Sequence, residues 1–202
     1  MNLEPAVLRD GFVTLELLAD RHREDLRAAC AADTEIWTSL YPISWVGDQF
    51  DVSWDRYVRD VAAGRAIAHA VVVGGVCVGI SCYLNIDRLH SVVEIGGTYY
   101  RPDRRGRATN PAAKRLMLTR AFASGARRVV FRVDAINARS RAAVEKLGAR
   151  LDGLMRQDMI TWTGRVRDTA VYSILADEWP TVRAGLDARL AAFAQNALTE
   201  TA

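Results

Sequence analysis

Lysine is almost missing from this chain: Lys114 and Lys146 are the only two among 27 basic residues, and the rest are arginines. An arginine-rich codon usage accounts for that skew. Cysteine is scarce too. Cys30, Cys77 and Cys82 form no CxxC pair and have no histidine at metal-ligand spacing, a pattern of free, buried thiols in a reducing cytosol. His22, His69 and His90 are scattered, so no metal site is expected. No run approaches the roughly eighteen apolar residues of a membrane span. The N-terminal MNLEPAVLRDG lacks the apolar centre of a signal peptide. A cytoplasmic protein without a membrane partner is the expectation.

Excess charge is lacking as well. Against 27 basic residues stand 24 acidic ones, a net charge of +3, well short of the clustered basic surface of a general nucleic-acid binder. There is no repeat, no low-complexity segment and no linker. The 202 residues, 50% apolar, suffice for one sizeable core and one domain spanning 1–202.

What is present is periodicity. FVTLELL (12–18) alternates like a half-buried strand, and DRHREDLRAACAAD (20–33) has helical spacing at Leu26, Ala29 and Cys30. An irregular aromatic stretch, EIWTSLYPISW, follows. DVSWDRYVRDVAAG (51–64) predicts a helix with Trp54, Tyr57, Val58 and Val61 facing in, stopped at Gly64. AIAHAVVV and VCVGISCYLNI flank Gly74-Gly75 as a two-residue hairpin would. SVVEIGGTYY (91–100) is a strand interrupted by Gly96-Gly97, the mark of a bulge or a close approach. AAKRLMLTRAFASG then places Ala113, Leu116, Met117 and Ala121 on one helical face. A strand, RRVVFRVDA (127–135), leads into a short helix over 137–148 with Ala143, Val144 and Leu147 facing in. Strands around GLMRQDMITW and VRDTAVYSIL surround the turn at Thr163-Gly164. From about residue 177 the helical spacing of Val182, Leu186, Leu190 and Phe193 predicts a C-terminal helix.

The order reads β-α-α-β-β-β-α-β-α-β-β-α. Strand, helix and strand across 91–133 make a crossover, which requires a parallel pair, while hairpins on either side supply antiparallel ones. One mixed α/β sheet with helices on both faces is expected.

The stretch RPDRRGRATNPAAKR (101–115) holds six cations and one acid around a single glycine. A strand ends at Tyr100 and a helix is expected from Pro111, capped by Asn110 or Thr109. Such a turn aims unpaired N–H groups at one point, at the positive end of the helix dipole, and forms an anion site. Gly106 and Ala108 let a ligand approach the backbone. Without GK[ST] it is not a P-loop, and without GxGxxG it is not a dinucleotide fingerprint.

With its core Gly106-Arg107-Ala108, this loop resembles the coenzyme-A pyrophosphate loop of the GCN5-related N-acetyltransferases (GNAT). EIGGTYYRPDRRGRATNPAAK, VDAINARSRAAVEKLGA and GRVRDTAVYSILADEWP together resemble the RimJ/RimL-like subfamily, which acetylates ribosomal-protein N-termini. The likeness covers roughly residues 8–183. One departure is Asp103, where the superfamily often has Arg or Gln. The resemblance implies a mostly antiparallel sheet of about seven strands, with a central parallel pair splayed at a β-bulge.

It also implies a reaction: an acetyl group moves from acetyl-CoA to a primary amine by direct attack in a ternary complex. The coenzyme would lie along the backbone of Gly97, Thr98, Tyr99 and Tyr100. Its phosphates would meet Arg104, Arg105, Gly106, Arg107, Ala108, Thr109 and Asn110, and Asn137, Ser140 and Arg141 would add contacts. Acetyl transfer needs a neutral amine, a proton acceptor and stabilisation of an oxyanion. Glu94 is the candidate base, through a water; the alternative is an ion pair with one of the arginines. Ser140 is the candidate acid for the leaving thiolate, and Asn137 is also a good helix N-cap without any ligand. Trp37, Tyr41 and Trp45 are placed as the acceptor wall, though three aromatics are equally core packing. Arg167 is placed on the opposite wall, with a solvated hairpin tip as the alternative; Cys82 is read as core.

At pH 7 an α-amine with pKa near 8 is about a tenth neutral, whereas a lysine is neutral at below about one part in a thousand. One carboxylate therefore suits an N-terminal or weakly basic small amine. Two other classes compete: a coenzyme-binding protein without catalysis, and a nucleic-acid module using Arg101 to Arg107. The second lacks the aromatic–basic interleaving of a single-strand platform. The resemblance is compatible with a homodimer, which nothing in the sequence demands.

Overall fold

Gly74 and Gly75 take positive φ angles of +59° and +80°, as a type I′ turn needs. They join β3 (Ile67–Val73) to β4 (Val76–Asp87), with Val73 opposite Val76. In the computed structural model, which describes residues 1–199, this hairpin lies within an eight-stranded sheet of order β1-β2-β3-β4-β5-β6-β8-β7. The outer strands on one side are β1 (Leu8–Arg9) and β2 (Thr14–Leu17). Beyond β4 come β5 (Val92–Tyr100), β6 (Arg128–Asp134), β8 (Val166–Leu175) and β7 (Arg150–Ile160). The eighth strand, against about seven expected, is β1, whose two residues are too short to carry a period.

Every neighbouring pair is antiparallel except β5–β6. That pair is parallel because α4 (Thr109–Ala123) crosses between its strands. Helices α1 (Arg23–Ala31), α2 (Glu35–Ser39) and α3 (Gln49–Ala62) cover one face, where Trp37, Phe50, Trp54, Ile80, Cys82 and Tyr99 share a core. On the other face α4, α5 (Ala138–Glu145) and α6 (Trp179–Thr199) close a second core with Tyr83, Val93, Ile95, Met117, Phe131 and Tyr172.

Three local expectations change. The irregular 35–45 stretch contains the one-turn α2. Helix α3 begins at Gln49, so its inward face is Phe50, Ser53, Trp54 and Tyr57. Val58 and Val61 stand 45% and 38% exposed. Helix α4 begins at Thr109 rather than Pro111, with Ala108 at the N-cap and no side-chain cap. Pro111 is its third residue, where the missing N–H is still one that a helix leaves unbonded.

Candidate active site

The early start of α4 shapes the basic loop. With no capping side chain, the N–H groups of 106–110 have no hydrogen-bond acceptor among the described residues. Gly106 has φ +73° and open space where a Cβ would stand. Arg104 through Thr109 line a groove of about 690 Å³ whose other wall includes Phe12, Val73 and Phe193. Not all the arginines are free to meet an anion there. Asp103 pairs with Arg101 and Arg104 at 2.7 and 3.1 Å. Arg105 reaches Asp33 at 2.5 Å and the Tyr100 carbonyl at 3.0 Å, with its guanidinium over the Tyr99 ring. Arg107 donates only through Nε, to the Asp103 carbonyl. Asp103 and Asp33 thus brace the loop and leave Arg107 with the backbone as the available cationic edge.

The bulge in β5 reassigns its faces. Ile80 pairs with Tyr99 and Cys82 with Gly96, so β5 carries one extra residue between them. Gly97 takes it up at φ +57°. A one-residue insertion swaps parity. Val93 and Ile95 enter the α4-side core, as Tyr100 does after the bulge, while Tyr99 joins the other core. The ladder to β6 holds only from Val92 to Glu94; beyond it the strands part, and 95–100 have no β6 partner.

Glu94 sits at the head of that opening, 8% exposed. Its Oε1 lies 2.6 Å from where a Cβ on Gly96 would be, so the two share a face as i, i+2 residues should. Oε2 accepts from Asn85 Nδ2 at 2.7 Å. Burial pushes the carboxyl above the usual range, against the Asn85 bond and the nearby charges of Arg132 and Arg167. A carboxylate in that state is a more effective proton acceptor near neutral pH than a solvated one.

Next to it is a polar cluster from β6–β8. Arg132 Nη2 donates to both carboxylate oxygens of Asp158, at 2.8 and 2.9 Å, and Arg165 bonds Asp134. Arg167, 4% exposed, is not at a solvated tip. It lies 3.9 Å from Asp134 and 3.5 Å from the Arg132 carbonyl, and burial lowers its pKa. Asn137 Oδ1 caps α5 by accepting from the Ser140 N–H at 3.0 Å. Ser140 is half-buried, and Arg141 is held by Tyr172 and the Ala135 carbonyl.

Of the three wall aromatics, Trp37 and Trp45 are buried in the core beneath α1–α3. Only half-buried Tyr41 reaches the opening, donating to the Thr98 carbonyl at 2.8 Å. Three other residues here escaped the sequence reading as site residues. Tyr57 faces the core as its spacing predicts, and its hydroxyl reaches the bulge, 2.5 Å from the Cβ position of Gly97. Asn85 gave no signal. Lys114, one of the six cations of 101–115, makes with Met117, Leu118 and Ala121 an i, i+3, i+4, i+7 series, which faces the sheet.

Comparison with known proteins gives this geometry a context. Residues 13–150 match the family model of the acetyltransferase (GNAT) domain. No curated protein sequence matches the chain. Among solved structures, a GCN5-related N-acetyltransferase from Brucella melitensis is 27% identical with a TM-score of 0.83, covering 94% of this chain and 87% of that one. RimJ of Mycobacterium smegmatis, solved with CoA-disulfide, is 22% identical with a TM-score of 0.77, covering 91% and 93%. RimL, an alpha-N-protein acetyltransferase, is 16% identical with a TM-score of 0.75, covering 84% and 94%. The last two likenesses concern the fold.

Proposed function

Because the chain belongs to the GNAT family and is an N-acetyltransferase, we propose that it moves an acetyl group from acetyl-CoA to a primary amine by direct attack in a ternary complex. The observation that carries this reading is the opening between β5 and β6, which runs from Glu94 toward a loop whose N–H groups lack acceptors. A pyrophosphate fits there: the groove is polar at one end, the helix dipole favours anions, and Arg107 borders it. The edge at 97–100 that has left β6 offers its N–H groups to an extended arm as a neighbouring strand would, its Thr98 and Tyr100 carbonyls already accepting from Tyr41 and Arg105.

Bound acetyl-CoA supplies an activated acetyl group; the chain's residues orient it and manage the proton. Glu94 takes the amine proton through a water at Oε1, the oxygen that Asn85 leaves open. Tyr41 and Arg167 border the acceptor. Asn137, Ser140 and Arg141 line the β6–α5 turn on the coenzyme's path, and Ser140 returns a proton to the leaving sulfur. Trp37 supports Tyr41 from behind, their ring centroids 4.6 Å apart, and Trp45 packs on Tyr57. With one carboxylate as base, an N-terminal α-amine or a weakly basic small amine is the acceptor favoured. The RimJ/RimL-like motifs favour a protein N-terminus.

The test is release of free thiol from acetyl-CoA across a panel of short peptides, small amines and lysine derivatives. Turnover that needs a peptide N-terminus or weakly basic amine, and falls sharply in Glu94→Gln, is the expected result. Binding of acetyl-CoA with no turnover on any amine would overturn the reading.

A further inference from the structure

Acetyl transfer as described leaves Lys114 unused, although it lies directly behind the bulge. On the second turn of α4, Lys114 is 4% exposed. Its Nζ is 2.6 Å from Thr98 Oγ1 and 2.9 Å from Ser81 Oγ, and the two hydroxyl oxygens are 2.9 Å apart. One polar atom each from α4, β4 and β5 thus closes a triangle. No carboxylate bonds or ion-pairs with the amine among the described residues.

The chemistry of the triangle favours an uncharged amine. A neutral –NH₂ has two donors and a lone pair, so all three atoms can donate to one neighbour and accept from the other. An ammonium has three donors and no acceptor. It would donate to both hydroxyls, so only one of them could still donate inside the triangle. The other hydroxyl proton and the third ammonium proton would need acceptors outside it, and for Thr98 the nearest is the Gly96 carbonyl at 3.5 Å. A buried ammonium without a counter-ion is also costly. Burial lowers the Lys114 pKa to about 7. The titratable groups nearby are Cys82 and Tyr83 on β4 and Tyr100 on β5. Cys82 acts on the amine through charge, Tyr83 is committed to the Met117 carbonyl, and Tyr100 shares the α4-side core.

Position gives the triangle a task. Thr98 is the first residue after Gly97, on the stretch of β5 that has left β6. Its carbonyl is held by Tyr41 on one side and its hydroxyl by Lys114 on the other. We propose that Lys114 is a positioning residue for the coenzyme: as an uncharged amine it ties Thr98 to Ser81 and α4, and so fixes the parted segment of β5 at the separation the pantetheine arm requires. This rests on the acetyl-CoA reading of that opening. Protonation breaks the cycle, so coenzyme affinity falls as the medium is acidified through neutrality.

With only two lysines in the chain, the test is unusually clean. Protein labelled with ¹³C-lysine gives two side-chain NMR signals, which Lys114→Met assigns. The Lys114 signal is expected to titrate near neutral pH and to move on addition of acetyl-CoA. Calorimetry on Lys114→Met should show acetyl-CoA bound about tenfold more weakly at pH 8. Its affinity should not change between pH 6 and 8, and its kcat should stay within a few-fold of the parent's. Should that variant not fold, Ser81→Ala removes another vertex and should weaken binding in the same direction. A Lys114 signal that stays in the charged position up to pH 9 would overturn the proposal. So would unchanged affinity in Lys114→Met or Ser81→Ala. A parent protein whose Lys114 titrates near neutrality but which binds no acetyl-CoA would instead overturn the acetyl-CoA reading of the opening, and the coenzyme role with it.

Discussion

The side-chain amide of Asn85 donates to Oε2 of Glu94 across 2.7 Å. It does so because β4 also carries a bulge. Leu84 pairs with Glu94 and Asp87 with Val92, leaving an extra residue between them, and Asn85 adopts φ +46°, a conformation asparagine tolerates better than most residues. Two bulges on adjacent strands therefore converge on one carboxylate: one on β4 supplies its partner, and one on β5 opens the space beside it.

Glu94→Gln should lower turnover about 100-fold while leaving acetyl-CoA affinity nearly unchanged. Because burial holds the Glu94 pKa above the ordinary carboxylate range, activity should be lost on acidification through a midpoint above the usual glutamate value. The same burial makes ionisation costly to the fold above that midpoint, so Glu94→Gln should melt no lower than the parent at pH 7. Initial rates against pH and paired thermal melts check both parts.

Gly97→Ala should destabilise the protein by about 1–2 kcal/mol, since alanine is strained at positive φ. Its Cβ would also lie 2.5 Å from the Tyr57 hydroxyl oxygen. Adding Tyr57→Phe removes that clash and leaves a ring carbon at 3.4 Å. The double variant should therefore recover part of the loss and not all of it. Urea melts of the parent, Gly97→Ala, Tyr57→Phe and the double variant give the comparison; full recovery would mean that the backbone angle carries no strain.

Much of this was readable from local chemistry. Gly74, Gly75 and Gly97 take positive φ angles that few other residues accept, so the paired glycines mark a turn and a bulge. The crossover around α4 fixed the parallel pair through connection length alone. The basic turn into α4 was legible because glycine, a helix start and clustered arginines meet within a few residues. What stayed hidden depends on partners far along the chain. Arg105 pairs with Asp33, 72 residues away along the chain, which no local pattern reveals. Arg167 looked like a hairpin tip until the Arg132–Asp158 pair enclosed it. Lys114 carried a periodic signal for burial, masked by the cations around it.

The two arginines flanking Gly106 should separate in function. Arg105 is braced by Asp33, the Tyr100 carbonyl and the Tyr99 ring, so Arg105→Ala should cost about 1–2 kcal/mol of stability. Arg107, bonded only to the Asp103 carbonyl, should lose little stability on change to alanine but about threefold to tenfold in acetyl-CoA affinity. Melts and titrations on both variants test the division; an Arg105→Ala protein as stable as its parent would contradict it.

Stability should peak on the mildly alkaline side. Folding lowers the Lys114 pKa from 10.5 to about 7. Between those values the unfolded chain binds more protons, so stability rises with pH. Burial raises the thiols the other way, Cys77 to about 11 and Cys82 to about 12. Above the ordinary thiol pKa of about 8.5, stability therefore falls. Melting temperature across pH 6 to 10 should show a maximum between the two regimes, and Lys114→Met should lose the rising limb. A rising limb that survives in Lys114→Met would assign it to another group.

We propose that the basic turn and the parted strands form one coenzyme site. It is tested most directly by calorimetric titration of acetyl-CoA into the parent protein and into a variant carrying Arg107→Glu with Ala108→Asp. These changes place two carboxylates at the free N–H groups of the α4 N-terminus. Micromolar binding by the parent, abolished in the variant while its melting temperature stays close to the parent's, is the predicted result. Absence of binding by the parent at low salt, or equal binding by both proteins, would contradict the claim.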